Sequence, residues 1–199
     1  MIRFLFKLIL CGLLALGAGF VYLAVVSGDP VYTVYEWMSP ARFQRYDHLI
    51  RVVAIEHQLD PMLVKAVVWR ESRFDPEKYG TRGERGLMQV TEKAANEWAR
   101  ENKIADFHSD QLFDPRINLE AGTWYLRRAV EHWKLQSDPV PFALAEYNAG
   151  ASRAQRWSKN DATDTSARTF LKNVDFPATR KYVESIIDRY KFYQRRGRM

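Results

Sequence analysis

Apolar and polar positions divide the chain into one unbroken apolar run and a succession of amphipathic segments. From Leu8 to Val26 the sequence LILCGLLALGAGFVYLAVV carries no charge, and its length is close to the ~20 residues a helix needs to cross a hydrocarbon core. Residues 27–40 (SGDPVYTVYEWMSP) hold two prolines and several aromatics without a helical period, which reads as a juxtamembrane linker. Helical spacing dominates from there on. Over Phe43 to Gln58, the residues Tyr46, Leu49, Ile50, Val53, Ala54 and His57 recur at i, i+3, i+4 intervals, the stripe of an amphipathic helix. Asp60-Pro61 and Asp114-Pro115 each combine a capping carboxylate with a proline suited to the first helical position, and the second opens a helix running to about Trp133. Thr91 to Asn102, Phe142 to Asn148 and Thr179 to Tyr193 read as further helices, with Gly150 placed to take a left-handed conformation after the second of them. Ser158 to Ala167 (SKNDATDTSA) is polar and aperiodic, a surface loop. No long alternating strand pattern and no fixed repeat is present, so the fold class is mainly α.

Charge orients this plan. Arg3 and Lys7 precede the apolar run and Asp29 follows it, which places the N-terminus in the cytoplasm and the rest outside. A cleavable signal peptide is the competing reading; the run is long for one, and no small-x-small site ends it. Leu10 before Cys11 also fits poorly with a lipoprotein signal. With 47% hydrophobic and 14% aromatic residues in 199, the chain can fill one core beside this appendage. Cys11 is the single cysteine and the four histidines form no HExxH pair, so neither a disulfide nor a metal site is indicated. The net charge of +6 and the basic end Arg195-Arg196-Gly197-Arg198 suit nucleic acid, anionic lipid or an anionic wall polymer, and charge alone does not choose among them.

One acid stands out in VKAVVWRESRFDP. Counting back from Glu71 by helical neighbours gives Val68, Val67 and Val64, so its carboxyl shares the buried side of a helix. Burial disfavours the charged form and keeps a proton available for donation near neutral pH. The plainer alternative is an ion pair with Arg70 or Arg73 at a helix end.

Around Glu71-Ser72 the chain carries, in order, Gly86-Leu87-Met88-Gln89, Asn118 to Gly122 as N-x-x-x-G, Tyr147-Asn148-Ala149-Gly150, and Thr179-Arg180-Lys181-Tyr182-Val183. This ordered set resembles the transglycosylase SLT family of lytic murein transglycosylases, from about Tyr46 to Tyr190. The resemblance implies a lysozyme-like (goose-type) helical domain, here with an N-terminal transmembrane helix. Residues 1–27 are then a membrane anchor or uncleaved signal, 28–42 the juxtamembrane linker, 43–193 the catalytic domain and 194–199 a basic tail. It also implies that Glu71 is the catalytic acid/base, that Met88 and Gln89 line the groove, and that Tyr147 and Asn148 sit above the carboxyl. In this reading the Tyr147 hydroxyl positions Glu71, and Tyr182 helps to close the pocket. Core packing for Met88 and Tyr182, and a helix-end turn for Asn148, remain open.

Two departures from the family pattern concern the substrate side. Gly80 stands where the family usually has a serine that helps to bind the substrate N-acetyl group, with Thr81 next to it, and Glu84 replaces a small residue near the active-site loop. Glu92 and Ala94 also replace a usual proline and threonine.

The implied chemistry is non-hydrolytic cleavage between N-acetylmuramic acid and N-acetylglucosamine, leaving 1,6-anhydromuramoyl ends and needing no cofactor or metal. The implied partners are peptidoglycan strands, the inner membrane and cell-envelope assemblies, not nucleic acid, with the domain in the periplasm. Trp69, Trp98 and Trp124 are candidates for stacking on sugar rings. Two other readings stay open: an inverting hydrolase in which Glu84 activates water, and a glycan-binding scaffold without turnover.

Overall fold

The structure, a computed structural model, describes residues 2–27, 29–158 and 166–197. Most of the expected Ser158–Ala167 loop and the last two residues of the basic tail lie outside the described residues. The apolar run forms α1 (Ile2–Ser27), whose span Arg3–Val25 is long and apolar enough to cross a membrane and is not buried against the rest of the chain.

The linker expectation is corrected by the structure. Residues of this segment form α2 (Pro30–Met38), capped by Asp29, and the short α3 (Pro40–Phe43). Thr33 and Glu36 are buried, so α2 is seated on the body of the protein. The expected Phe43–Gln58 helix is narrower, α4 (Asp47–Glu56), because the chain turns between Phe43 and Asp47.

At the centre is α5 (Pro61–Ser72), where every residue from Leu63 to Trp69 is buried. Asp60 starts it by accepting from the Met62 amide at 2.8 Å. Even Lys65 is 1% exposed, its ammonium held 2.7 Å from Asp47 on α4. Replacing only one partner would strand a charge in the core. After α6 (Glu92–Glu101) and a 3-10 turn (Ser109–Phe113) comes α7 (Pro115–His132), with the Asp114 carboxylate accepting from both Arg116 and Ile117 amides. Then follow α8 (Val140–Ala149), α9 (Ala151–Ser158), α10 (Ala167–Asn173) and α11 (Pro177–Arg196). Gly150 has a positive φ of 89° with ψ of 154°, outside the left-handed helical region and tolerated only by glycine.

Helix α11 packs along both α5 and α8, and α7 packs against α4, α6 and α8. This crossing brings the C-terminal end of α5, the end of α8 and the first turns of α11 to one side of the molecule. The loop between α5 and α6 covers that side.

Candidate active site

Helix α5 delivers Glu71 to its last turn and is stopped there by two left-handed residues, Arg73 (φ 55°) and Phe74 (φ 62°). Val64, Val67 and Val68 are 0% exposed on the same side of the helix, as the spacing predicts. Glu71 opens onto a cleft of ≈ 570 Å³ that Gln89, Glu84, Tyr147, Asn148 and Tyr182 also line.

Burial raises the Glu71 carboxyl to about 7 against the opposing pull of the Tyr182 hydroxyl and of the Arg70 and Lys78 charges, with Glu84 adding a smaller upward push. Tyr182 Oη donates to Glu71 Oε1 at 2.6 Å. The roles expected of the two tyrosines are therefore exchanged. Tyr147 Oη donates instead to the Met88 carbonyl at 2.9 Å, tying the end of α8 to the loop. Both phenols are held far above their ordinary range, first by burial and then by the Glu71 charge, so both remain donors. Asn148 Oδ1 accepts from Thr179 at 2.7 Å, which joins α8 to the start of α11.

Met88 is corrected outright as a groove residue. It is 0% exposed, its sulfur accepts from Thr123 at 3.6 Å, and it packs so closely on Gly122 that a Cβ there would meet it at 2.7 Å. The glycine of N-x-x-x-G thus serves to admit Met88 into the core. Gln89 does face the cleft; its Nε2 donates to the carbonyls of Lys78 and Gly86, which turns its Oε1 toward Gly80.

The loop is fastened by Asn118, 0% exposed on α7. Its Nδ2 donates to the carbonyls of Arg85 (2.7 Å) and Leu112 (2.8 Å), and its Oδ1 accepts from the Met88 amide (2.8 Å). Gly86, at φ +73°, passes so close that a Cβ would lie 2.3 Å from the Asn118 amide.

Gly80 and Glu84 prove to be one feature. A Cβ on Gly80 would lie 2.4 Å from Glu84 Oε2 and 2.9 Å from Gln89 Oε1, so the glutamate side chain occupies the space that a residue at position 80 would need. Glu84 is fixed by the backbone amide and the guanidinium of Arg82, both at 2.9 Å. Burial pushes its carboxyl up, but those contacts prevail and hold it below the usual range. Just below pH 7 the cleft therefore offers one protonated and one ionised carboxyl.

Sequence reasoning passed over Lys78, whose ammonium donates to the Glu71 carbonyl and which lines the cleft with Arg70 and Arg82. Its only signal is a cation placed a few residues after the acid. Trp69 and Trp98 are buried, and neither they nor Trp124 line the cleft. His57 and His132 pair with Glu120 and Glu146, structural roles on α7 and α8.

The family model for the transglycosylase SLT domain matches residues 48–170. The chain belongs to that family. Among curated relatives, the soluble lytic murein transglycosylase of Escherichia coli K12 is 27% identical over 150 residues, covering 75% of this chain and 23% of its own length. Membrane-bound lytic murein transglycosylase F of Desulfosudis oleivorans is 33% identical over 139 residues, 67% of this chain and 29% of its own. The crystal structure of the 70 kDa soluble lytic transglycosylase of E. coli superposes with a TM-score of 0.70 at 26% identity, covering 77% of this chain and 25% of that one. The chain thus spans about a quarter of the length of these relatives, and the SLT fold is what they share. Tyr182 and the rest of its motif lie beyond the matched residues, which makes the 2.6 Å contact to Glu71 an independent link between that motif and the site.

Proposed function

We propose that this SLT family member is a peptidoglycan lytic transglycosylase anchored by α1 in the inner membrane, with its catalytic domain in the periplasm. The observation that carries the activity is the Glu71 carboxyl at about 7, in a cleft and accepting from Tyr182. Because Oε1 is engaged by Tyr182, the acidic proton resides on Oε2. Glu71 gives that proton to the glycosidic oxygen between N-acetylmuramic acid and N-acetylglucosamine as the bond to the anomeric carbon breaks. The resulting carboxylate takes the proton of the muramoyl C6 hydroxyl while that oxygen closes on the anomeric carbon. One carboxyl serves both halves, because the nucleophile belongs to the substrate and acts at high effective molarity. No water is consumed. The charges flanking α1, Arg3 and Lys7 before it and Asp29 after it, support the orientation.

Glu84 favours a second reading. It is ionised in the same cleft, where a carboxylate facing Glu71 across the substrate would activate water and yield a reducing end. Mass analysis of the products from purified peptidoglycan separates the two, since an anhydro end is lighter by one water. Glu71→Gln is expected to keep the fold and lose roughly 10²-fold or more in rate. Release of muropeptides at the parental rate by that variant would refute the role of Glu71.

A further inference from the structure

Helix α2 is amphipathic in the inverse sense. Its inward side carries Thr33 and Glu36, both buried. Glu36 lies 3.3 Å from the guanidinium of fully buried Arg189 on α11, which also donates to the Asp29 carbonyl. The outward side carries Val31, Tyr35 and Met38 at i, i+4 and i+7, exposed by 51, 57 and 76%; Trp37, exposed by 48%, lies on the flank of the helix nearer Thr33. A helix on the surface of a water-soluble domain turns its apolar stripe inward. Here the polar groups are clamped inside and the apolar stripe is left outside.

The position of this stripe says what covers it. Helix α1 ends at Ser27, Asp29 already caps α2, and the end of α1, where Ser27 is buried, meets α2 and α11. The stripe therefore starts at the level where the apolar span ends. Tyrosine and tryptophan favour that level, where a ring is half in hydrocarbon and half in water. The one acidic residue of α2, Glu36, faces inward, whereas Arg42, Arg45 and Arg196 are exposed nearby, the last with its guanidinium 5.4 Å from the Trp37 ring. Cations at this level are attracted to an anionic lipid surface. A cavity of ≈ 630 Å³ beside the stripe is lined by Tyr32, Tyr35, Arg42 and Arg73, aromatic and cationic as a phosphate headgroup requires.

We infer that the outer face of α2 rests in the headgroup region of the bilayer that α1 enters, with Val31, Tyr35, Trp37 and Met38 in the interface and Arg42, Arg45 and Arg196 against anionic phospholipid. The segment is then a rigid mount that sets the height of the catalytic cleft above the membrane. This inference rests on the anchor reading, and its test separates the two.

The full chain is reconstituted in vesicles of phosphatidylethanolamine and phosphatidylglycerol carrying bromine in the upper acyl chains. Trp37 is the single tryptophan outside the catalytic body, so the difference between parent and Trp37→Phe isolates its emission. Trp37 is expected to emit at shorter wavelength in vesicles than in water and to be quenched by bromine, and Tyr35→Ser with Met38→Ser is expected to reduce that quenching by about half or more. Equal fractional quenching of parent and Trp37→Phe, in a chain that resists alkaline carbonate extraction, overturns the mount and leaves the anchor standing. Release by carbonate refutes the anchor, and the mount with it.

Discussion

The proton on Glu71 is retained by a balance between burial, which lifts the carboxyl, and the Tyr182 hydroxyl, which lowers it by stabilising the anion. A general acid works only while protonated, so activity is expected to fall as pH rises through about 7. Tyr182→Phe removes the lowering contact. That variant's alkaline limb is expected at higher pH than the parent's, with a plateau rate reduced roughly tenfold by lost positioning. A pH–rate profile on purified peptidoglycan reads both. Gly80→Ser is expected to push the flexible end of Glu84 off its Arg82 contacts and to destabilise by about 1 kcal/mol. Adding Glu84→Ala should recover part of that loss, giving a coupling of roughly 0.5 kcal/mol in denaturant unfolding of the single and double variants. The burial of Glu71 was legible because three valines at helical spacing report it. The exchanged tyrosines were not, since Tyr182 is 111 residues away in sequence and nothing local says which phenol arrives. Glu84 and Gly80 likewise read as two separate departures until the loop folds them together.

Among the elements, the loop carrying Gly86 to Gln89 has little regular structure, with isolated bridges of Arg85 to Tyr79 and Val90. Asn118 of α7 fastens it at three points, beside the Tyr147 and Gln89 hydrogen bonds. Asn118→Ala removes the donor to the buried Leu112 carbonyl and the acceptor of the Met88 amide, and takes one of two donors from the Arg85 carbonyl, and the expected cost is roughly 2–4 kcal/mol by denaturant unfolding. Activity should fall more steeply than stability, since Gln89 depends on the same loop. The aspartate-proline starts of α5 and α7 were legible because capping is local chemistry. Helix α2 was missed for the opposite reason: Tyr32, Val34 and Trp37 blur the stripe of Val31, Tyr35 and Met38, and Pro30 and Pro40 bracket the segment as they would a linker. Met88 was misplaced because an apolar residue in a motif looks the same whether it faces a groove or Gly122.

For the molecule as a whole, the SLT fold, the mainly α class and the apolar N-terminal helix were all readable from pattern and motif order, whereas the seating of α2 depends on a contact with Arg189, distant in the chain. Arg189→Met strands Glu36 as a buried carboxylate, which typically costs about 3–5 kcal/mol when one partner of such a pair is removed. Relief is expected to come by release of α2, so limited proteolysis of the full chain in detergent should cut within residues 29–43 far faster than in the parent while the catalytic body persists. Equal cleavage rates would mean that the Glu36–Arg189 pair does not fasten the helix.

The guanidinium of Arg73 is stacked 3.9 Å from the Tyr32 ring and 3.7 Å from the Trp69 ring, and reaches Asp29 at 3.5 Å. Arg73 follows Glu71 by two positions on the same turn of chain. Traction from below, transmitted through Asp29 and Tyr32, thus enters the body beside the proton donor and not at some remote corner.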